Sequence, residues 1–136
     1  MNINFTFLKF LLIAITTVVL SAGCASTSQT VAKTSNKWRI EFSEGANSDG
    51  VIVFRVTPIG GQPTNINASI TDGTRENSVA SKVRDAFKAQ LQEGAYHVEK
   101  DDGEDVLVKR RGDTPNFSLE LISNSVKSVR IDIEIE

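Results

Sequence analysis

The chain has 136 residues, with 15 Lys and Arg against 17 Asp and Glu, one His and one Cys, and a formal net charge of −2. This length suits one small domain and is too short for two separate hydrophobic cores. The slight acidic balance gives no reason to expect a nucleic-acid partner, because domains that bind nucleic acid usually carry a strong excess of basic residues.

Residues 1–23 have the composition of an export signal. Their single charged residue, Lys9, precedes an apolar run from Phe10 to Leu20 that is interrupted only by two threonines. A membrane-spanning helix needs about 20 apolar residues, whereas this run has the length of the apolar part of a signal peptide. We therefore expect residues 1–23 to be a cleaved signal peptide and not a permanent anchor.

The single cysteine, Cys24, directly follows three small residues. A lone cysteine in an exported protein has no internal disulfide partner. The run LSAGC at residues 20–24 resembles the lipobox of bacterial membrane lipoproteins, although Ser21 stands where that family usually has Leu. The resemblance implies that Cys24 is acylated, for example with palmitate, and becomes the first residue of the mature protein. In that family, an Asp directly after the cysteine resembles an inner-membrane retention signal, whereas this chain has Ala25 at that position. The resemblance therefore also implies an outer-membrane lipoprotein facing the periplasm.

An alternative interpretation is that Cys24 is incidental and lies near an ordinary cleavage site in a soluble secreted protein.

The segment that follows Cys24, up to Asn36, is rich in Ser, Thr, Ala and Lys, and Val31 is its only large apolar residue. Such a segment cannot bury enough surface to offset the entropy lost on ordering. We expect residues 24–36 to comprise the lipidated cysteine and a flexible tether, and residues 37–136 to form a single domain.

Hydrophobic periodicity predicts three strands and then a helix in the first half of the domain. Apolar and polar residues alternate over 37–42 and 65–70, whereas 51–56 is apolar on both sides. The period then changes, and a helix over about residues 75–92 has one apolar face. The residues of this apolar face are Val79, Val83, Ala86, Phe87 and Leu91. Possible N-caps are Asp72, Thr74 and Asn77, and Gly94 suits the helix end.

Four strands are predicted after the helix. Residues 96–100 and 104–111 flank an Asp-Gly pair at 102–103, which favours a tight hairpin turn. Further alternation predicts strands over 117–121 and 129–135. The expected fold is therefore α+β, a mostly antiparallel sheet of about seven strands in the order βββαββββ, with one helix packed on one face.

The segment from this helix to Phe117 is similar to a helix-and-hairpin module common in phage tail proteins. The similarity lies in its core spacing and turn residues, which are Tyr96, Val98, the Asp102-Gly103 turn, Val106, Val108 and Phe117. It implies a role in assembly or adhesion and no catalysis.

The candidate chemistry is sparse. His97 is the only histidine, and strand alternation that turns Tyr96 and Val98 inward turns it outward. A Ser/His/acid triad would need this base beside a nucleophile and an orienting group. A zinc site is implausible with one His and a cysteine that we expect to be acylated. The sequence therefore predicts no catalytic residue, no metal site and no cofactor.

Two charged clusters are candidates for binding a partner, either an envelope protein or a glycan. The acidic cluster could hold a cation, but it lacks the alternating ligand spacing of a calcium loop. The basic cluster could contact anionic lipid headgroups. The acidic cluster comprises Asp101, Asp102, Glu104 and Asp105. The basic cluster comprises Lys109, Arg110 and Arg111.

The leading functional hypothesis is a lipid-anchored envelope protein with a non-catalytic binding or assembly domain. A second hypothesis is an inhibitor or immunity-type lipoprotein that blocks an enzyme with the Ser43–Gly50 loop or the acidic hairpin turn. A third is a small envelope hydrolase that uses acidic residues, and this would need a cleft holding two carboxylates in different environments.

Overall fold

The computed structural model describes residues 32–136. These residues form seven strands and one helix, in keeping with the two apolar periods of the sequence. The elements are β1 (Lys37–Ser43), β2 (Gly50–Pro58), β3 (Thr64–Ile70), α1 (Glu76–Gln90), β4 (Tyr96–Asp101), β5 (Asp105–Arg110), β6 (Phe117–Asn124) and β7 (Arg130–Ile135). The α+β class, the seven strands and their order around one helix are confirmed. The predicted signal peptide, Cys24 and most of the tether lie outside the described residues.

The strands form two sheets, whereas one was predicted. One sheet has the order β4-β5-β1-β7 and the other has the order β3-β2-β6, and every pairing is antiparallel. The difference arises because alternation shows which side of a strand is buried but not which strand lies next to it. β1 pairs with β5 and β7, which are distant in sequence, and not with β2.

A single hydrophobic core joins both sheets and the helix. Trp38 belongs to it, and its indole Nε1 donates a hydrogen bond of 2.9 Å to the carbonyl of Phe117. The half-buried Tyr96 packs edge-on against the ring of Phe117, with the ring centres 5.1 Å apart. The largest fully buried side chains are Phe42, Phe54, Phe87, Phe117, Ile40, Ile52 and Ile66.

The helix α1 begins and ends within the predicted range, but none of the predicted N-cap residues caps it. Arg75 occupies the N-cap position without a side-chain hydrogen bond to the helix. Asp72 instead accepts from the backbone N–H of Gly73, and Thr74 donates to the carbonyl of Thr71. Burial of one face of α1 in the core therefore supplies most of its stability, as is usual for short helices.

The last residue of α1, Gln90, covers part of the edge of β3. Its side-chain amide accepts from the N–H of Asn67 and donates to the carbonyl of Asn67, both at 2.9 Å. The side chain thus satisfies two backbone groups that a neighbouring strand would otherwise pair. This contact protects an edge that would otherwise be open to pairing with another chain.

Substitution of Phe87 tests how much the packing of α1 on the core contributes to stability. Its ring is fully buried, and its centre lies 5.4 Å from that of Phe54. Phe87→Ala is expected to lower the free energy of unfolding by about 3–5 kcal/mol, because it leaves a cavity between helix and sheet. Urea unfolding measures this value. The control Lys82→Ala, at an exposed position of the same helix, is expected to change it by less than about 0.5 kcal/mol, and similar losses in both variants would contradict the packing described.

Candidate functional site

The acidic cluster lies at the turn of the β4–β5 hairpin. Asp102 and Gly103 have φ angles of 41° and 82°, which is the left-handed backbone that an Asp-Gly turn favours. Asp101 and Asp105 face each other at the ends of the two strands. Asp105 is buried, whereas Asp102 is exposed and Glu104 is partly exposed.

Arg39, on the neighbouring strand β1, binds two of these four acidic residues. Its Nη1 donates to the carboxylate of Asp105, and its Nη2 lies 3.6 Å from the carboxylate of Asp101. Asp101 and Asp105 are therefore engaged within the domain. Asp102 and Glu104 make no ion pair among residues 32–136, and they remain the carboxylates of this turn that can meet a partner.

A third carboxylate, that of Glu136, completes the group around Arg39. It accepts from Nε of Arg39 at 2.6 Å and also pairs with Lys37. Hydrogen bonds from Lys37 and, next, from Arg39 lower the pKa of Glu136. Hydrogen bonds to Glu136 and Asp105 raise the pKa of Arg39, which stays charged in any case. The arrangement ties β1, β5 and the end of β7 together on the outer face of the four-stranded sheet.

The basic run does not form one patch, because successive side chains on a strand point to opposite sides. Lys109 is exposed on the outer face, in register with Lys37 and His97. Arg110 instead holds the following loop, donating to the side chain of Asn116 at 3.0 Å and to the carbonyl of Gly112 at 2.7 Å.

Arg111 approaches the single histidine. Its Nη2 lies 2.8 Å from Nδ1 of His97, and Nε2 of His97 lies 3.1 Å from the carboxylate of Glu99. Because a guanidinium can only donate, Nδ1 accepts, and in the neutral ring the proton lies on Nε2 and is donated to Glu99. The three side chains form a connected row that periodicity alone did not reveal.

This row borders a surface cleft of about 270 Å³ between the end of α1 and β4. Phe87 and Leu91 supply apolar lining, and Lys88, Tyr96 and Arg111 supply polar lining beside His97. Burial raises the pKa of Tyr96, so its hydroxyl stays protonated at neutral pH and can donate a hydrogen bond. Two cationic residues, Lys88 and Arg111, and one carboxylate, Glu93, thus line the cleft, and this excess of positive charge suits the carboxylate or phosphate group of a partner.

The acidic cluster and the cleft lie at opposite ends of the β4–β5 hairpin. The cleft is beside Tyr96 and His97 at the start of β4, and the acidic turn follows its end. Among residues 32–136, Glu93 is the one carboxylate that lines the cleft. A pair of cooperating carboxylates is therefore not assembled there.

Residues 32–136 contain no group of three or more His, Cys, Asp or Glu side chains placed to hold a metal ion. Within the same range, no helix combines the length and apolar character needed to cross a membrane. Comparisons with protein-family models, with curated proteins and with solved structures find no match for the chain.

The Arg39 group predicts a pH-dependent contribution to stability. The folded pKa of Glu136 is lowered from an ordinary value of about 4.5, so its contribution is fully present above that value and is lost as the pH falls through the lower folded pKa. Glu136→Gln is therefore expected to lower the thermal midpoint at neutral pH and to converge with the unmodified protein in acid.

Thermal unfolding followed by circular dichroism over a pH series measures this difference. Glu120→Gln is the matched control, because Glu120 is exposed and makes no ion pair among the described residues. A difference between E136Q and the unmodified protein that stayed constant down to the acid limit would refute the assignment.

Proposed function

We propose that this chain is a lipid-anchored lipoprotein of the bacterial cell envelope, whose domain at residues 37–136 binds another envelope component or supports an assembly without catalysis. The observation that carries the proposal is the LSAGC run at residues 20–24, which places a lone cysteine directly after an apolar export-type segment. The lipobox-like order of these parts accounts for the cysteine, which has no disulfide partner in the chain.

Acylation of Cys24 would hold the domain at the membrane surface. One acyl chain gives only marginal binding, whereas two or more anchor a protein firmly. Residues 25–36 reach at most roughly 40 Å when extended, so the domain would work close to its anchor. Ala25 supports placement in the outer membrane, facing the periplasm.

Two places on the domain are suited to a partner. The hairpin turn offers Asp102 and Glu104, which are not used in internal ion pairs among the described residues. The cleft offers donors from Lys88, Tyr96 and Arg111 to an anionic group. Lys109 is in register with His97, which lines the cleft, so a partner bound at the cleft could contact Lys109 as well.

A second candidate is an inhibitor or immunity-type lipoprotein. The carboxylates of Asp102 and Glu104, which make no ion pair among the described residues, favour it, since an acidic turn can bind a basic cleft of an enzyme. A small hydrolase that uses acidic residues has less support, because the acidic turn is separated from the cleft along β4.

Replacement of the cysteine tests the anchor. Cys24→Ser in the full chain, expressed in a bacterial host, is expected to remove incorporation of labelled palmitate and to move the protein from the membrane to the soluble fraction. The control Ser26→Ala, two residues along the tether, is expected to leave both unchanged. Retention of C24S in the membrane fraction would refute the lipoprotein proposal.

A further inference from the structure

Among residues 32–136, β6 is paired along its length on one side, by β2. On its other side the described residues form a single bridge, in which Ser35 donates to the carbonyl of Phe117 at 2.9 Å and accepts from its N–H at 3.0 Å. One residue of the chain thus already occupies the start of this edge in the antiparallel direction.

The bridge shows which backbone groups of β6 point outward. Phe117 directs both its N–H and its C=O away from β2, and it lies opposite Pro58, which has no N–H to offer. Backbone groups of an antiparallel strand alternate in direction, so those of Leu119 and Leu121 point to the same outward side. No strand of residues 32–136 pairs with β6 on this side.

Apolar side chains accompany these unpaired groups. Leu121 is 39% exposed and Ile122 is 43% exposed. β7, which follows β6 and is an edge strand of the other sheet, carries Ile135, 46% exposed, and the half-buried Ile133. Three of the five exposed large apolar residues of the described region therefore lie in these two strands, and two of them are on β6 itself.

The exposed charged residues within these two strands are mainly acidic. Glu120 of β6 and Asp132 and Glu134 of β7 are exposed, and none makes an ion pair among residues 32–136. Arg130, at the start of β7, is paired with Glu44 at 3.2 Å. A partner that carries Lys or Arg beside apolar residues is complementary to this combination.

We propose that the free edge of β6 binds an extended segment of another protein by strand addition, and that this segment alternates apolar residues with Lys or Arg. Its backbone pairs with the outward groups of Leu119 and Leu121, continuing the position that Ser35 takes at Phe117. Its apolar side chains lie on the same side as that of Leu121, because directly paired residues share one face of the sheet. Its basic side chains lie on the other face, which is that of the exposed carboxylate of Glu120. The proposal deepens the binding role proposed above and is independent of the lipid anchor.

Defined peptides test the proposal. The probe is a fluorescently labelled seven-residue peptide that alternates valine and lysine, titrated with the full chain in detergent micelles and followed by fluorescence anisotropy. The valines are expected to pair with Leu119 and Leu121, so N-methylation of the valines removes the N–H groups that bind and is expected to weaken binding by at least about tenfold. N-methylation of the lysines alters the opposite edge of the peptide and is expected to have little effect.

Two protein variants test the same contact from the other side. Leu121→Pro removes an outward N–H that does not pair with β2, and it is expected to weaken binding of the peptide by about tenfold or more. The variant Glu120→Lys changes only an exposed residue of β6, and it is expected to weaken binding of the valine–lysine peptide and to strengthen binding of a valine–glutamate peptide. The control Glu76→Lys makes the same change in charge at an exposed position of α1, away from β6, and is expected to leave both affinities unchanged.

Several results would overturn the proposal. Absence of saturable binding, or equal binding of the peptide with N-methylated valines, would exclude strand addition. A dimer in sedimentation that L121P abolishes would assign the edge to a second copy of the chain. Binding that occurs only after deletion of residues 25–31 would assign it to the chain's own tether. Membrane fractionation of C24S tests the anchor separately, so failure of either proposal can be told from failure of the other.

Discussion

The need to satisfy backbone hydrogen bonds at the edges of two small sheets governs this domain. Four strands are edges, namely β3 and β6 in one sheet and β4 and β7 in the other. α1 contacts both β3 and β4, and Gln90 pairs with the backbone of Asn67 on β3. The helix therefore covers part of the β3 edge. Among the described residues, the edge of β6 has only the bridge at Ser35.

A second organising contact is the group of charges around Arg39. Because β1 lies between β5 and β7, the guanidinium of Arg39 can reach Asp105 on one side and Glu136 on the other. Residues that form one acidic cluster in the sequence are thus divided by role. Asp101 and Asp105 help to join strands, while Asp102 and Glu104 stay available at the turn. The outer face of this sheet is consequently stabilised by some of the charges that would otherwise be candidates for binding.

Local periodicity predicted much of the fold because each element has a clear apolar face. The strands, the helix and the turn at Asp102 all depend on neighbouring residues in the chain. The division into two sheets was not predicted, because the contacts that decide it are long-range, such as that of Arg39 with Glu136, 97 positions apart. The helix N-cap differed because tertiary burial made a side-chain cap unnecessary.

The candidate site was predictable only in part. Alternation along β5 could have shown that Lys109 and Arg110 point to opposite sides, since it depends only on sequence spacing. The cleft was not predictable, because it requires the end of α1 to lie beside β4. The open edge of β6 was not predictable either, because a strand's neighbours cannot be inferred from its own residues.

The most direct test of the central claim, that β6 has one paired and one open edge, is amide hydrogen exchange at two adjacent residues of that strand. The N–H of Glu120 points toward Arg55 of β2, whereas that of Leu121 points outward. In the unliganded protein, Glu120 is predicted to be strongly protected from exchange and Leu121 to exchange far faster. Equal, strong protection at both residues would contradict an open edge on β6.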